Sequence, residues 1–268
     1  MKLAAIDLDG TLLNSQHQLV QENTLALRAA QQAGVKIAIA TGRSVTSTLE
    51  MLTAMGLDGY LLALNGTFIA EKRGNEVRAL RSSFLEKEII AKAFAVAQEE
   101  QVTFIASNRG GSDRVVVADQ NEVVQEFLVK RKDLNCLTPD EMLARLTDET
   151  VHYMKLAFTN QDRQKLLQLR KRLEQAGIPT IFSDTNYIEH VPAGVNKGTA
   201  LAFLCDQLGI SLDETVAIGD QENDIELLQM SGIGIAMGNA LAPIKKVADQ
   251  VTTTNDQAGV AQALARFL

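Results

Sequence analysis

Tryptophan is absent from this chain of 268 residues, and aromatic residues make up only 4% of it. A core must therefore be built from Ala, Val, Ile and Leu, within a hydrophobic content of 46%, as suits strands alternating with helices. Only 2 cysteines occur, Cys136 and Cys205, far apart and in no CxxC pairing. Neither a disulfide framework nor a zinc site is expected from them. His17, His152 and His190 lack metal-ligand spacing. Positive charge is also scarce: the net charge is -7 and no long basic run is present. That argues against sequence-independent nucleic-acid binding, which leans on Lys and Arg against phosphates. No apolar segment reaches the roughly 18 residues of a membrane-spanning helix, and the apolar run after Lys2 is broken by Asp7, too short for a signal peptide. A cytoplasmic chain of one or two domains is expected, monomeric or homodimeric, with no nucleic-acid or membrane partner.

What is present begins at once. Leu3-Ala4-Ala5-Ile6 is a short apolar run suited to a buried strand. Asp7 ends it and Asp9 follows at i+2, so two carboxylates leave the strand end towards one point. Gly10 allows a sharp bend there, and Thr11 adds a hydroxyl. Crowded carboxylates repel and need compensation, for which a hard cation such as Mg2+ is the natural candidate.

From residue 20 the pattern is helix (20–32), strand (35–40), helix (44–55), strand (60–64). Gly34 and Gly56 mark the helix ends. This alternation predicts a doubly wound, Rossmann-like α/β core with a parallel sheet. Asp7, Thr41 and Asn65 then fall at strand ends, where ligands bind in open parallel sheets. Asn65-Gly66 also has a full explanation as a turn. A hairpin follows around Arg73-Gly74-Asn75, and then the alternation breaks. Residues 86–100 form an amphipathic helix. Strands 102–106 and 114–118 flank Gly110-Gly111, and 121–130 reads as helical. Thr138-Pro139-Asp140-Glu141 is a capping box with Pro at the first helical position. A strand (152–158), a helix (162–176) and two short strands (180–183, 187–191) complete a region read as an inserted α+β domain over residues 83–187, the core comprising 1–82 and 188–268. After Pro192 the alternation resumes through a helix carrying Lys197, a strand ending in Gly219-Asp220, a helix over 222–230, a short strand and two closing helices.

Asp220, at a strand end, could complete an oxygen cage with Asp7 and Asp9. Asp224, one helical turn on, could support a bound water or a neighbouring ligand. The Thr41 hydroxyl and the Gly42 amide could hold a phosphoryl oxygen. Lys197 stands in a first helical turn, where the dipole mildly disfavours it, so an anion nearby would compensate. Arg43 either steers a phosphate or is an ordinary surface arginine.

Asp7-Leu8-Asp9-Gly10-Thr11-Leu12 matches in full the opening motif of the haloacid dehalogenase-like phosphatases. Gly219-Asp220-Gln221-Glu222-Asn223-Asp224 resembles that family's acidic motif, and Thr41-Gly42-Arg43 and the segment around Asn196-Lys197-Gly198 are similar to its other two motifs. The length and the αβ insertion resemble the Cof-type subgroup, whose C2-type cap follows the third strand. The resemblance implies that Asp7 is a nucleophile that becomes phosphorylated. Asp9 would be the general acid/base and also lend Mg2+ its backbone carbonyl, with Asp220 and Asp224 in the metal site. Asn223, Thr41, Gly42, Arg43 and Lys197 would contact phosphate or substrate. The implied activity is Mg2+-dependent hydrolysis of small phosphate monoesters, sugar phosphates or related metabolites, through an aspartyl-phosphate. A phosphomutase and a non-catalytic phosphometabolite-binding protein are the alternatives. The insertion is expected to act as a lid; its loop Asn108-Arg109-Gly110-Gly111-Ser112-Asp113-Arg114 either reads the substrate or is an exposed hairpin loop, in which case the hairpin around Asn186 and Tyr187 is the next candidate.

Overall fold

The structure is a computed structural model that describes residues 1–116 and 134–267. The chain divides into two compact units. The first combines Met1–Ser82 with Gly194–Leu268, and the second is Ser83–Ala193.

In chain order the first unit opens with β1 (Leu3–Ile6), α1 (Gln21–Gln32), β2 (Lys36–Ala40), α2 (Val45–Ala54), β3 (Gly59–Ala63), β4 (Phe68–Arg73) and β5 (Glu76–Ser82). The second contains α3 (Lys87–Glu99), β6 (Thr103–Ser107), β7 (Ser112–Val115), β8 (Leu134–Cys136), α4 (Pro139–Thr147), β9 (Lys155–Thr159), α5 (Arg163–Gln175), β10 (Ile181–Asp184) and β11 (Tyr187–His190). The first unit resumes with α6 (Lys197–Leu208), β12 (Thr215–Gly219), α7 (Ile225–Met230), β13 (Ile233–Ala236), α8 (Ala242–Val247), β14 (Gln250–Val251) and α9 (Gly259–Leu264).

The first unit's sheet has the order β14-β13-β12-β1-β2-β3-β4-β5. From β14 to β3 all neighbours are parallel. β4 and β5 extend it as antiparallel edge strands. The strands β1, β3 and β12 are buried along their whole length. Continuous apolar runs such as LAAI and TVAIG are what strands covered on both faces require. α1 packs with α9, and α6 with α7. The chain winds from β1 through β2 to β3 in one direction and from β12 through β13 to β14 in the other. β1 therefore lies where the strand order reverses, the position at which such sheets place their ligands.

The second unit's sheet has the order β10-β11-β9-β6-β7-β8. Its apolar core joins Phe94 of α3, Met142 of α4 and Leu169 of α5 to Phe104, Val115, Phe158 and Ile188 of the strands. The capping box at Thr138 forms as expected, with Thr138 and Glu141 bonding reciprocally at the start of α4. The junction expected between residues 187 and 188 falls inside β11. That strand pairs throughout with β9, and the unit runs on to Ala193. The β-hairpin of β6 and β7 turns at residues 108–111, at the Gly110-Gly111 turn expected, and β7 begins at Ser112, two residues earlier than the pattern suggested. The helix expected over 121–130 lies outside the described residues. β8 and β14, of 3 and 2 residues, were too short to leave a periodic trace.

Candidate active site

Four side chains from three distant parts of the first unit meet where β1 and β12 end. Asp7 follows β1 directly, its amide donating to Ile218 O at 3.0 Å, so the chain leaves the sheet with its first carboxylate already in place. A wide turn over Leu8–Leu12 follows, closed by the Leu13 amide on Leu8 O at 2.9 Å. Gly10 holds φ +77 in that turn, and a Cβ there would lie 2.3 Å from Asp220 Oδ2. No other residue meets both conditions. Thr11 Oγ1 donates to Asp220 Oδ1 at 2.8 Å, and Asn239 Nδ2 donates to Gly10 O at 2.7 Å. The turn is thus tied to the far half of the unit.

Lys197 enters from the first turn of α6. Asn196 caps that helix, accepting from the Thr199 amide at 2.7 Å, while the Thr199 hydroxyl takes the Asn196 amide at 3.0 Å. The ammonium is 1% exposed and donates to Asp7 Oδ1 at 2.7 Å and Asp224 Oδ1 at 2.6 Å. Asp224 is engaged on both oxygens, because its Oδ2 accepts from the amides of Asp220 and Gln221 at 2.9 and 3.0 Å. It therefore shapes the loop after β12 as well as pairing with Lys197. Asn223 donates to Asn65 Oδ1 at 3.2 Å, linking that loop to the end of β3. Thr41 ends β2, nearly fully buried, and its Oγ1 accepts from the Arg43 amide at 3.1 Å.

Asp9 takes a different direction. Its carboxylate is held by Arg43, Nε to Oδ2 at 2.7 Å and Nη2 to Oδ1 at 2.5 Å, with His17 Nδ1 at 3.4 Å. Arg43 is thus fastened to an acid of the opening motif, an arrangement that neither a phosphate contact nor a plain surface position had suggested. Partial burial works to raise the pKa of Asp9, but the hydrogen bonds and charge of Arg43, aided by His17, outweigh it and leave the carboxyl below its ordinary range.

The other acids are pushed the opposite way. Burial, followed by the charges of Asp224, Asp220 and Asp9, raises the pKa of Asp7, against the opposing pull of Lys197. Burial and the charge of Asp224 push Asp220 up to about 7, although Thr11 and Lys197 act against them. For Lys197, the two carboxylates overcome desolvation and hold the ammonium protonated. Oxygens of Asp7, Asp220 and Asp224 all lie within 4.8 Å of one another. Three buried carboxylates against one ammonium leave a negative excess, and an all-oxygen donor set of this kind fits a hard divalent cation.

Residues 4–264 match the family described as haloacid dehalogenase-like hydrolase. The chain belongs to the haloacid dehalogenase-like hydrolases. Phosphatase YwpJ of Bacillus subtilis (strain 168) is 31% identical over 293 residues, spanning 100% of both chains. The 5-amino-6-(5-phospho-D-ribitylamino)uracil phosphatase YcsE of the same organism is 30% identical over 271 residues, 100% of this chain and 96% of that one. A solved haloacid dehalogenase-like hydrolase from B. subtilis superposes with a TM-score of 0.88 at 28% identity, covering 100% of both chains. This haloacid dehalogenase-like hydrolase is accordingly an enzyme, a phosphoric monoester hydrolase. Among its described residues no helix is long and apolar enough to cross a membrane.

Two contacts escaped the sequence reading. Asn239, in a loop 229 positions from Gly10, carries no local mark of its role. His17 sits in a polar stretch, and only the fold brings it to Asp9.

Proposed function

We propose that this enzyme is a Mg2+-dependent phosphatase of small phosphate monoesters, sugar phosphates or related metabolites, working through an aspartyl-phosphate on Asp7. The observation that carries the reading is the Lys197 ammonium shared between Asp7 and Asp224 in the buried cluster at the end of β1. It holds the Asp7 carboxylate oriented and gives incoming phosphoryl oxygens a fixed positive charge. One Asp7 oxygen attacks phosphorus and the ester P–O bond breaks, the departing oxygen taking a proton from Asp9. Water then attacks the same phosphorus, giving its proton to Asp9, and Asp7 is regenerated. A general acid needs a proton, so Asp9 must leave the Arg43 pair to serve in the first step. Thr41, Gly42 and Asn223 would hold phosphoryl oxygens. Mg2+ would be held by Asp7, Asp220 and the Asp9 carbonyl, with Asp224 orienting the loop, and would neutralise charge gathering on the phosphoryl group. The named activity of YcsE, on a phosphorylated ribitylamino compound, supports a metabolite of this kind as substrate.

The test is phosphate release from a panel of phosphorylated metabolites. Wild type should lose activity with EDTA and regain it with Mg2+. Asp7→Asn should abolish release while melting within a few degrees of wild type, since Lys197 keeps Asp224 as a partner. Retained wild-type rates in Asp7→Asn would overturn the mechanism.

A further inference from the structure

The inserted unit buries a cation that none of its described residues answers. Strand alternation in β7 directs Asp113 and Val115 to the face on which α3, α4 and α5 pack. Val115 belongs to the apolar core there, and Asp113 receives Tyr153 Oη and, at 2.8 Å, Asn135 Nδ2. Ser112 and Arg114 consequently lie on the opposite face. Arg114 stands level with Ile105 of β6 and Cys136 of β8. It is 0% exposed, and its Nε, Nη1 and Nη2 have no hydrogen-bond partner among the described residues. The other buried Asp, Glu and Lys side chains among the described residues of the unit are matched, Asp113 lying 3.7 Å from Arg145 Nε. On the same face Lys155 pairs with Glu189, which cancels both charges. Among the described residues one uncompensated buried positive charge remains, and it cannot be relieved by losing a proton, because a guanidinium stays charged. Beside Arg114 on that face, the hydroxyls of Ser107 and Ser112 are 2.8 Å apart. One proton serves that contact and the other can donate onward.

We propose that this face of the inserted unit binds an oxyanion, a carboxylate or a phosphate, with Arg114 as its receptor and the Ser107–Ser112 pair as a further donor. A guanidinium presents a planar fork that fits two oxygens of such a group at once. A buried polar group lacking partners in a native fold calls for an explanation, and for a fixed positive charge a bound anion supplies one. The source of the anion is either a second charged group on the phosphorylated substrate, which rests on the phosphatase reading, or a separate small anion.

The experiment compares wild type with Arg114→Met, which keeps the length and removes the charge, in buffer free of divalent cations. Malonate, a dicarboxylate without phosphorus, is the probe. Calorimetry and thermal melting should show malonate binding to wild type at least tenfold more tightly than to Arg114→Met. Without malonate the variant should melt at the higher temperature, because an unpaired buried charge has been removed. Neither readout needs turnover, so a failed phosphatase assay leaves them standing. Kinetics with Mg2+ restored then assign the source. If Arg114→Met lowers kcat/KM tenfold for 3-phosphoglycerate and leaves an aryl phosphate unchanged, the anion is the substrate's own. If malonate alters the wild-type rate on the aryl phosphate and not that of the variant, the anion is separate. Should Arg114→Met fail to fold, Arg114→Lys decides: it retains charge without the fork, and at least threefold weaker malonate binding is expected. A lower melting temperature with an unchanged malonate response in Arg114→Met, or unchanged affinity in Arg114→Lys, would overturn the proposal.

Discussion

Asp7 and Asp9 stand two positions apart and live in opposite environments. Asp7 is buried against Lys197 among like charges, whereas Asp9 lies partly exposed in the grip of Arg43. Two carboxylates with divergent surroundings can take different parts in one reaction. Arg43 holds the Asp9 carboxyl below its ordinary range, so its removal must raise that pKa. In Arg43→Gln, the limb of the pH–rate profile governed by Asp9 should move to higher pH. Asp9→Asn should in addition lose roughly 10²–10⁴-fold in rate, the usual scale of general acid–base catalysis. A pH series of kcat/KM for Arg43→Gln checks the first expectation, and an unmoved profile would detach Arg43 from the chemistry.

At the scale of the element, the turn after β1 brings the opening motif against the loop after β12. It depends on Gly10, whose φ is +77 and whose missing Cβ leaves room for Asp220. Gly10→Ala combines left-handed strain with a contact 2.3 Å from a carboxylate oxygen. It should destabilise the enzyme by about 1–3 kcal/mol and weaken the affinity for Mg2+ by displacing Asp220. Denaturant titration with and without Mg2+ measures both. A variant with wild-type stability and metal affinity would show that the turn relaxes without Asp220 moving. The same reasoning explains Gly219, at which a Cβ would meet Asp224 Cγ at 2.5 Å. Side-chain volume is thus excluded between the two acidic loops at Gly10 and within the second of them at Gly219.

For the whole molecule, the buried acids couple stability to pH and to metal. Asp7 and Asp220 have folded-state pKa values above the ordinary carboxylate range, Asp220 at about 7. Between about pH 4 and about pH 7 the folded chain therefore holds more protons than the unfolded one, and stability falls as pH rises through that window. On the proposed reading a divalent cation would bind the ionised cluster and oppose the loss. The metal-free enzyme should melt lower at pH 8 than at pH 5, and the gain on adding Mg2+ should be larger at pH 8. Thermal melts at both pH values, in EDTA and in Mg2+, check this. Equal gains at both pH values would remove the carboxylate cluster as the metal site.

Much of this protein was legible before any coordinates. Apolar runs such as Leu3-Ala4-Ala5-Ile6 have one satisfactory environment, a strand covered on both faces. Their alternation with helical periods leads to the parallel sheet, and the polar residues that interrupt them mark its ligand-binding edge. That is why Asp7, Thr41 and Asp220 could be named as strand-end residues from local pattern alone. Lys197 was less readable, because its meaning depends on Asp7 lying 190 positions away. Asp224 was expected near the metal, but only the folded chain shows both of its oxygens already occupied. Likewise Arg43 could not be read as the partner of Asp9, nor Arg114 as a buried cation without one. Local pattern records how each segment meets water and backbone geometry. Which charged groups end up facing one another is decided by packing, when segments far apart in the chain are brought to within a hydrogen bond's length.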